Sequence, residues 1–102
     1  MQPSNLIERA IAAGESSSLE LLRSADLSSI TTTVAALLNS GGGTVLIGVE
    51  GDGTVIGIPA TADAARAIEK ELSAVVTPPA DWSVHVERVG DAAIIQIDVP
   101  EG

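Results

Sequence analysis

The sequence predicts an α+β fold: a single mostly antiparallel mixed sheet with helices packed mainly on one face, in the order α-β-α-β-β-α-β-β. Three observations carry that expectation. Leu27, Ile30, Val34, Leu37 and Leu38 recur at three- and four-residue steps, which gives a helix with one apolar stripe. Residues 44–49 form an unbroken aliphatic, β-branched run closed by Gly51-Asp52-Gly53, the pattern of a strand buried on both faces and followed by a hairpin turn. Residues 82–86 and 93–99 alternate apolar with polar, as strands do when helices cover only one side of a sheet.

Taken in order, Pro3 and Ser4 open a first helix with Ser4 as its N-cap, and Leu6, Ile7, Ala10 and Ile11 share one side. Gly14 stops that helix. Glu15 and three serines connect it to Leu-Glu-Leu-Leu-Arg at 19–23, an expected edge strand. Asp26 or Ser24 begins the second helix, whose threonines are poor helix formers and must be held by packing. Asn39-Ser40-Gly41 ends it. After the hairpin turn, residues 54–58 are expected to return as a partner strand, stopped by Pro59. Thr61 caps a third helix with Ala65, Ile68, Leu72 and Val75 on its inner face and Asp63 in the favourable first turn. Pro78 and Pro79 forbid its continuation. Trp82, Val84 and Val86 then alternate with Ser83, His85 and Glu87 and share an apolar face, Val89-Gly90-Asp91 turns the chain, and Ala93, Ile95, Ile97 and Val99 continue that face.

Composition narrows the function classes. A chain of 102 residues fits one domain, expected over 1–102. Its core is aliphatic, because Trp82 is the only aromatic residue. No cysteine is present, which excludes disulfides, thiolate metal sites and cysteine nucleophiles. No apolar run is long enough to cross a bilayer and no secretory signal opens the chain, so a cytoplasmic location is expected. Fourteen acids against five bases give a net charge of −9, and the bases Arg9, Arg23, Arg66, Lys70 and Arg88 are scattered. The overall field therefore repels a polyanion.

The glycine run at 41–43 invites a phosphate loop, but the order is wrong. Phosphate loops run strand, loop, helix, so that amide donors and the positive helix end face the anion. Here the helix comes first and its carbonyl end points at the glycines. The run reads as a helix stop and a tight strand entry. Glu15, Glu20, Glu50 and Asp52 lie near element ends, where converging carboxylates hold Mg2+ or Mn2+ or work as an acid–base pair. The competing reading is a solvated acidic surface, with Asp52 stabilising its own turn. His85 is the only histidine and reads as a solvated strand residue. Trp82 reads as core packing at a sheet end, with partner anchoring as the alternative.

Several segments together resemble the Schlafen AlbA-type DNA-binding domain family. They are Glu15-Ser16-Ser17-Ser18-Leu19-Glu20-Leu21, the stretch from Ala35 through Asn39-Ser40-Gly41-Gly42-Gly43-Thr44 to Gly48-Val49, Gly51-Asp52-Gly53, Ile56-Gly57-Ile58, and the closing 95–102. The resemblance runs from about Leu6 to the end. It implies a nucleic-acid-binding domain of the kind attached to bacterial transcription regulators or helicase-like proteins. In the Schlafen branch it implies a metal-dependent nuclease site whose carboxylates would fall on Glu15, Glu20 and Glu50 or Asp52. Two positions after the second glutamate the family carries lysine; this chain has Leu22 there, followed by Arg23, which becomes the candidate nucleic-acid contact. The expectation is therefore a nucleic-acid-binding or regulatory module with no catalytic residue and no cofactor. The alternatives are a nuclease using Mg2+ or Mn2+ and a protein-interaction domain that forms a homodimer through a sheet edge or the Trp82 face.

Overall fold

The computed structural model describes residues 19–59, 61–76 and 81–100. The first expected helix and Glu15 lie outside them. Six elements follow: β1 (Leu19–Leu22), α1 (Leu27–Asn39), β2 (Gly43–Ile47), α2 (Thr61–Val75), β3 (Ser83–Val89) and β4 (Ala92–Val99). The strands form one sheet in the order β1-β2-β4-β3. β1 runs parallel to β2, while β2–β4 and β3–β4 are antiparallel, so the sheet is mixed and mostly antiparallel, as expected.

Alternation assigns the faces. Val45 and Ile47 of β2 and Ile95, Ile97 and Val99 of β4 meet Ile30, Val34 and Leu37 of α1 and Ile68 and Leu72 of α2 in one core. The intervening Leu46 and Ile94 point the other way and join Leu19, Leu21 and Val49 in a second cluster. β2 is thus buried on both sides, which is why its sequence is apolar without alternation.

Local chemistry sets the helix ends. Asp26 caps α1: its carboxylate accepts the Ser29 amide at 3.2 Å and the Ser29 hydroxyl at 2.6 Å. Both bonds favour the ionised form, the hydroxyl more than the amide, and hold the Asp26 carboxyl below its ordinary value. The threonine-rich turn is tolerated because Thr31 and Thr33 donate their hydroxyls to the carbonyls of Ser28 and Ser29. At the other end the amides of Ser40 and Gly42 both donate to the Leu37 carbonyl, at 3.1 and 2.7 Å. Gly41 and Gly42 have φ of 102° and 86°, so the glycines close the helix as the sequence indicated.

Three details depart from the sequence reading. Residues 54–58 do not form a ladder strand; they make one isolated antiparallel bridge, Val49↔Val55. Their amides are spent elsewhere: Ile56 and Gly57 donate to the Gly48 carbonyl, and Ile58 donates to Ala93. In α2, Val75 is 52% exposed and Val76 takes the inner place four residues after Leu72. The spacing 68-72-76 keeps to one helix face, whereas 75 rotates away from it. Thr61 is itself the first residue of α2, and its hydroxyl donates to the Ile58 carbonyl at 2.6 Å. Trp82 packs, partly buried, against the helix-facing core.

Candidate functional site

Gly48 organises the end of the sheet where β1 and β2 finish. Its φ is 104°, and a Cβ there would sit 3.0 Å from Ile58 Cγ1 and 3.2 Å from both Ile94 Cγ2 and the Gly57 carbonyl carbon. Only glycine meets both demands. Its amide and that of Val49 donate to the Leu22 carbonyl, at 2.7 and 3.1 Å, while its own carbonyl receives Ile56 and Gly57. This joint fixes the residues just beyond β1 and β2 relative to one another. They are Arg23 and Glu50, and Arg23 Nε lies 3.2 Å from Glu50 Oε1. The arginine side chain remains 73% exposed, so its guanidinium still faces solvent.

Glu50 also starts the tight turn. Its amide donates to the Thr54 carbonyl at 2.8 Å, and its carbonyl accepts the Gly53 amide at 2.8 Å. Asp52 sits within that turn and accepts the Thr54 amide at 2.9 Å. The Thr54 amide, then its hydroxyl, favour the ionised carboxylate and lower the Asp52 pKa.

Glu20 lies elsewhere on the same edge. It pairs in register with Val45, so it stands on the helix-facing side in mid-strand, while Leu19 and Leu21 point to the other face. There it lines a cleft of about 220 Å³ between β1 and α1, together with Thr32, Thr33, Ala36, Leu37 and Ser40. Glu50 follows the end of β2, beyond the Gly48 joint, so the two carboxylates occupy different levels of the sheet. Of the expected carboxylates, Glu50 is brought to Arg23, Asp52 is engaged by its own turn, and Glu20 opens on the cleft. Among the described residues no three histidine, cysteine or acidic side chains are grouped closely enough to hold a metal ion.

One polar cluster escaped the sequence reading. On the face away from the helices, Asp98 accepts from Gln96 Nε2 at 2.9 Å and Thr44 Oγ1 at 3.3 Å, and from Ser83 Oγ at 3.5 Å. His85 Nε2 lies 3.6 Å from Glu87 Oε1 and 3.8 Å from Asp98 Oδ2. The signal was present in the alternation, which puts Gln96, Asp98, Ser83 and His85 on one face. What could not be read was the register Ser83↔Asp98 and His85↔Gln96 that brings them together.

A mixed open sheet with both described helices on one face, and with an edge strand that carries an acid into a cleft and is followed by an exposed arginine, is the frame of a small open-faced α+β domain. The chain belongs to the Schlafen, AlbA_2 family, whose model matches residues 15–102. Its fold is similar to the solution structure of the N-terminal domain of a RecG-related protein from Nitrosomonas europaea. The two share 25% identity and a TM-score of 0.78, over 100% of this chain and 75% of that one. It is also similar to the crystal structure of the DIP2311 protein from Corynebacterium diphtheriae, at 14% identity and a TM-score of 0.58, over 96% of this chain and 25% of that one; that likeness concerns the fold. No curated protein matches the chain. No described helix is long and apolar enough to cross a membrane.

Proposed function

We propose that this chain is a nucleic-acid-binding or regulatory module without catalytic activity of its own, serving a bacterial transcription-regulation or helicase-like system in the cytoplasm. The observation that carries this reading is the likeness, across the whole chain, to the N-terminal domain of a RecG-related protein. Arg23 is the residue proposed to touch phosphate. It is exposed, it follows an edge strand, and the Gly48 joint holds its surroundings in place. Glu50 works against that contact, since a carboxylate 3.2 Å from the guanidinium repels an incoming phosphate. With a net charge of −9 and a single proposed phosphate contact, binding is weak and its salt dependence shallow, about one unit of slope. Titration of fluorescent single-stranded and duplex DNA and of RNA at low ionic strength tests the reading. Anisotropy should rise in the micromolar range and fall as salt is added. A flat response for all three at high micromolar protein would remove it.

A second reading, a nuclease using Mg2+ or Mn2+ on Glu15, Glu20 and Glu50 or Asp52, draws on one observation, that Glu20 opens on a cleft lined by hydroxyl-bearing residues, and requires Glu50 to leave Arg23 or Asp52 to leave its turn. Calorimetric titration with Mn2+ followed by an oligonucleotide cleavage assay decides it. Heat of binding and cleavage that are both lost in Glu20→Gln would support the nuclease.

A further inference from the structure

Within the sheet order β1-β2-β4-β3, β3 is an edge strand among the described residues. It pairs with β4 through seven consecutive register positions, Ser83↔Asp98 to Val89↔Ala92, with no bulge to twist the edge away. It holds no proline and no lysine. Natural edges are ordinarily blunted by such features because a straight strand offers unpaired amides and carbonyls to another chain. The middle of this edge also carries Val86, 42% exposed although its partner Ile95 is fully buried. The sheet thus ends on a straight, unbulged strand with an apolar side chain at its centre, and its charged residues Glu87 and Arg88 lie to one side of that centre.

We infer that β3 is an interface for a second copy of this chain, paired antiparallel about a two-fold axis at Val86. In that register Val86 meets the partner's Val86, on the helix-facing side. His85 meets the partner's Glu87 on the opposite face, twice by symmetry, so an imidazole that can donate stands against a carboxylate. Val84 meets the aliphatic stem of the partner's Arg88. Cross-strand neighbours directly opposite lie close enough for each of these contacts. Centring the axis on Glu87 would oppose two carboxylates, and centring it on His85 would leave Glu87 facing the partner's Ser83. The Val86 register is the one that covers the exposed valine with itself and gives each Glu87 a donor. The result is an eight-stranded sheet with the described helices of both copies on the same side.

One strand per copy is a small interface, so association in the micromolar range is expected. Two chains of net charge −9 repel each other over long range, so salt should strengthen the dimer, whereas it weakens nucleic-acid binding. This opposite salt response keeps the self-association separable from the proposed function.

Sedimentation equilibrium of the 102-residue chain over a wide concentration range is the test, with circular dichroism to check folding. The wild type should show a monomer–dimer equilibrium that shifts toward dimer as sodium chloride is raised. Val86→Lys should be monomeric at every concentration. His85→Glu places two carboxylates opposite each other at both symmetric positions, and should weaken the dimer about threefold to thirtyfold. Adding Glu87→Lys to His85→Glu should restore wild-type association. A wild type that stays monomeric at high micromolar concentration, or a dimer untouched by a folded Val86→Lys, would overturn the interface. Failure of the double variant to recover while it remains folded would overturn the register.

Discussion

Gly48→Ala separates two costs that the structure assigns to one residue. The first is conformational: φ is 104°, and a side chain on left-handed backbone costs about 1–2 kcal/mol. The second is steric. The added Cβ would approach Ile94 Cγ2 at 3.2 Å, and Ile94 is fully buried and cannot withdraw; Ile58 Cγ1 is closer still, at 3.0 Å. Overfilling of that kind costs about 1–3 kcal/mol. The expected loss is therefore about 2–5 kcal/mol, a large part of the ~5–15 kcal/mol that stabilises a domain. Urea unfolding followed by far-ultraviolet circular dichroism and by the fluorescence of Trp82 measures it. Two further glycines calibrate the sum. Gly41 shares the positive φ, at 102°, but a Cβ there meets nothing within 4 Å, so Gly41→Ala should show the conformational cost alone. Gly51 has open space and no positive φ, and Gly51→Ala should stay within about 0.5 kcal/mol of wild type. A Gly48→Ala cost no greater than that of Gly41→Ala would mean that close packing at the joint contributes nothing to stability.

Three other predictions address the core, the helix cap and the arginine. Ile95→Ala, at a fully buried position between the helices and the sheet, should cost about 2–5 kcal/mol in the same urea assay. Asp26 has a folded pKa below its ordinary value, so its contribution is present above the unfolded carboxylate range and is lost as pH falls through the folded pKa. Asp26→Asn, which still caps but cannot titrate, should keep most of the neutral-pH stability and flatten the acid limb of a stability–pH profile, whereas Asp26→Ala should lower the urea midpoint at neutral pH. Arg23→Gln should reduce the dependence of nucleic-acid affinity on salt by about one unit of slope, and should weaken binding to all sequences alike.

Much of the fold was legible because hydrophobic period and burial are directly coupled. The stripe through Ile30, Val34 and Leu37 became the inner face of α1, and the unbroken run around Leu46 became the strand buried on both sides. Helix-before-glycine order correctly turned residues 41–43 from a phosphate cradle into a helix stop. The return segment 54–58 was not legible as it stands. Its apolar residues look like a strand, but the Gly48 joint captures its amides and leaves a single bridge. Val75 and Val76 are adjacent and chemically identical, and only the helix phase, fixed by Leu72 in the core, decides between them. The candidate site was legible as residue types without their pairings. Glu50 read as a metal carboxylate and Arg23 as a phosphate contact; that the two meet depends on strand ends positioned by Gly48, a tertiary fact. The Asp98 cluster was hidden for the same reason, since it exists only once β3 and β4 are in register.

The central claim, a nucleic-acid module whose phosphate contact is Arg23 opposed by Glu50, is tested most directly by one series of anisotropy titrations. Wild type, Glu50→Gln and Arg23→Gln are titrated against the same single-stranded oligonucleotide at low ionic strength. Removing the carboxylate takes away a like charge worth up to about 1 kcal/mol against a nearby phosphate in water, so Glu50→Gln should bind about two- to fivefold tighter than wild type. Arg23→Gln should bind more weakly than either. Equal affinities for the three proteins, or no binding by Glu50→Gln, would contradict the account.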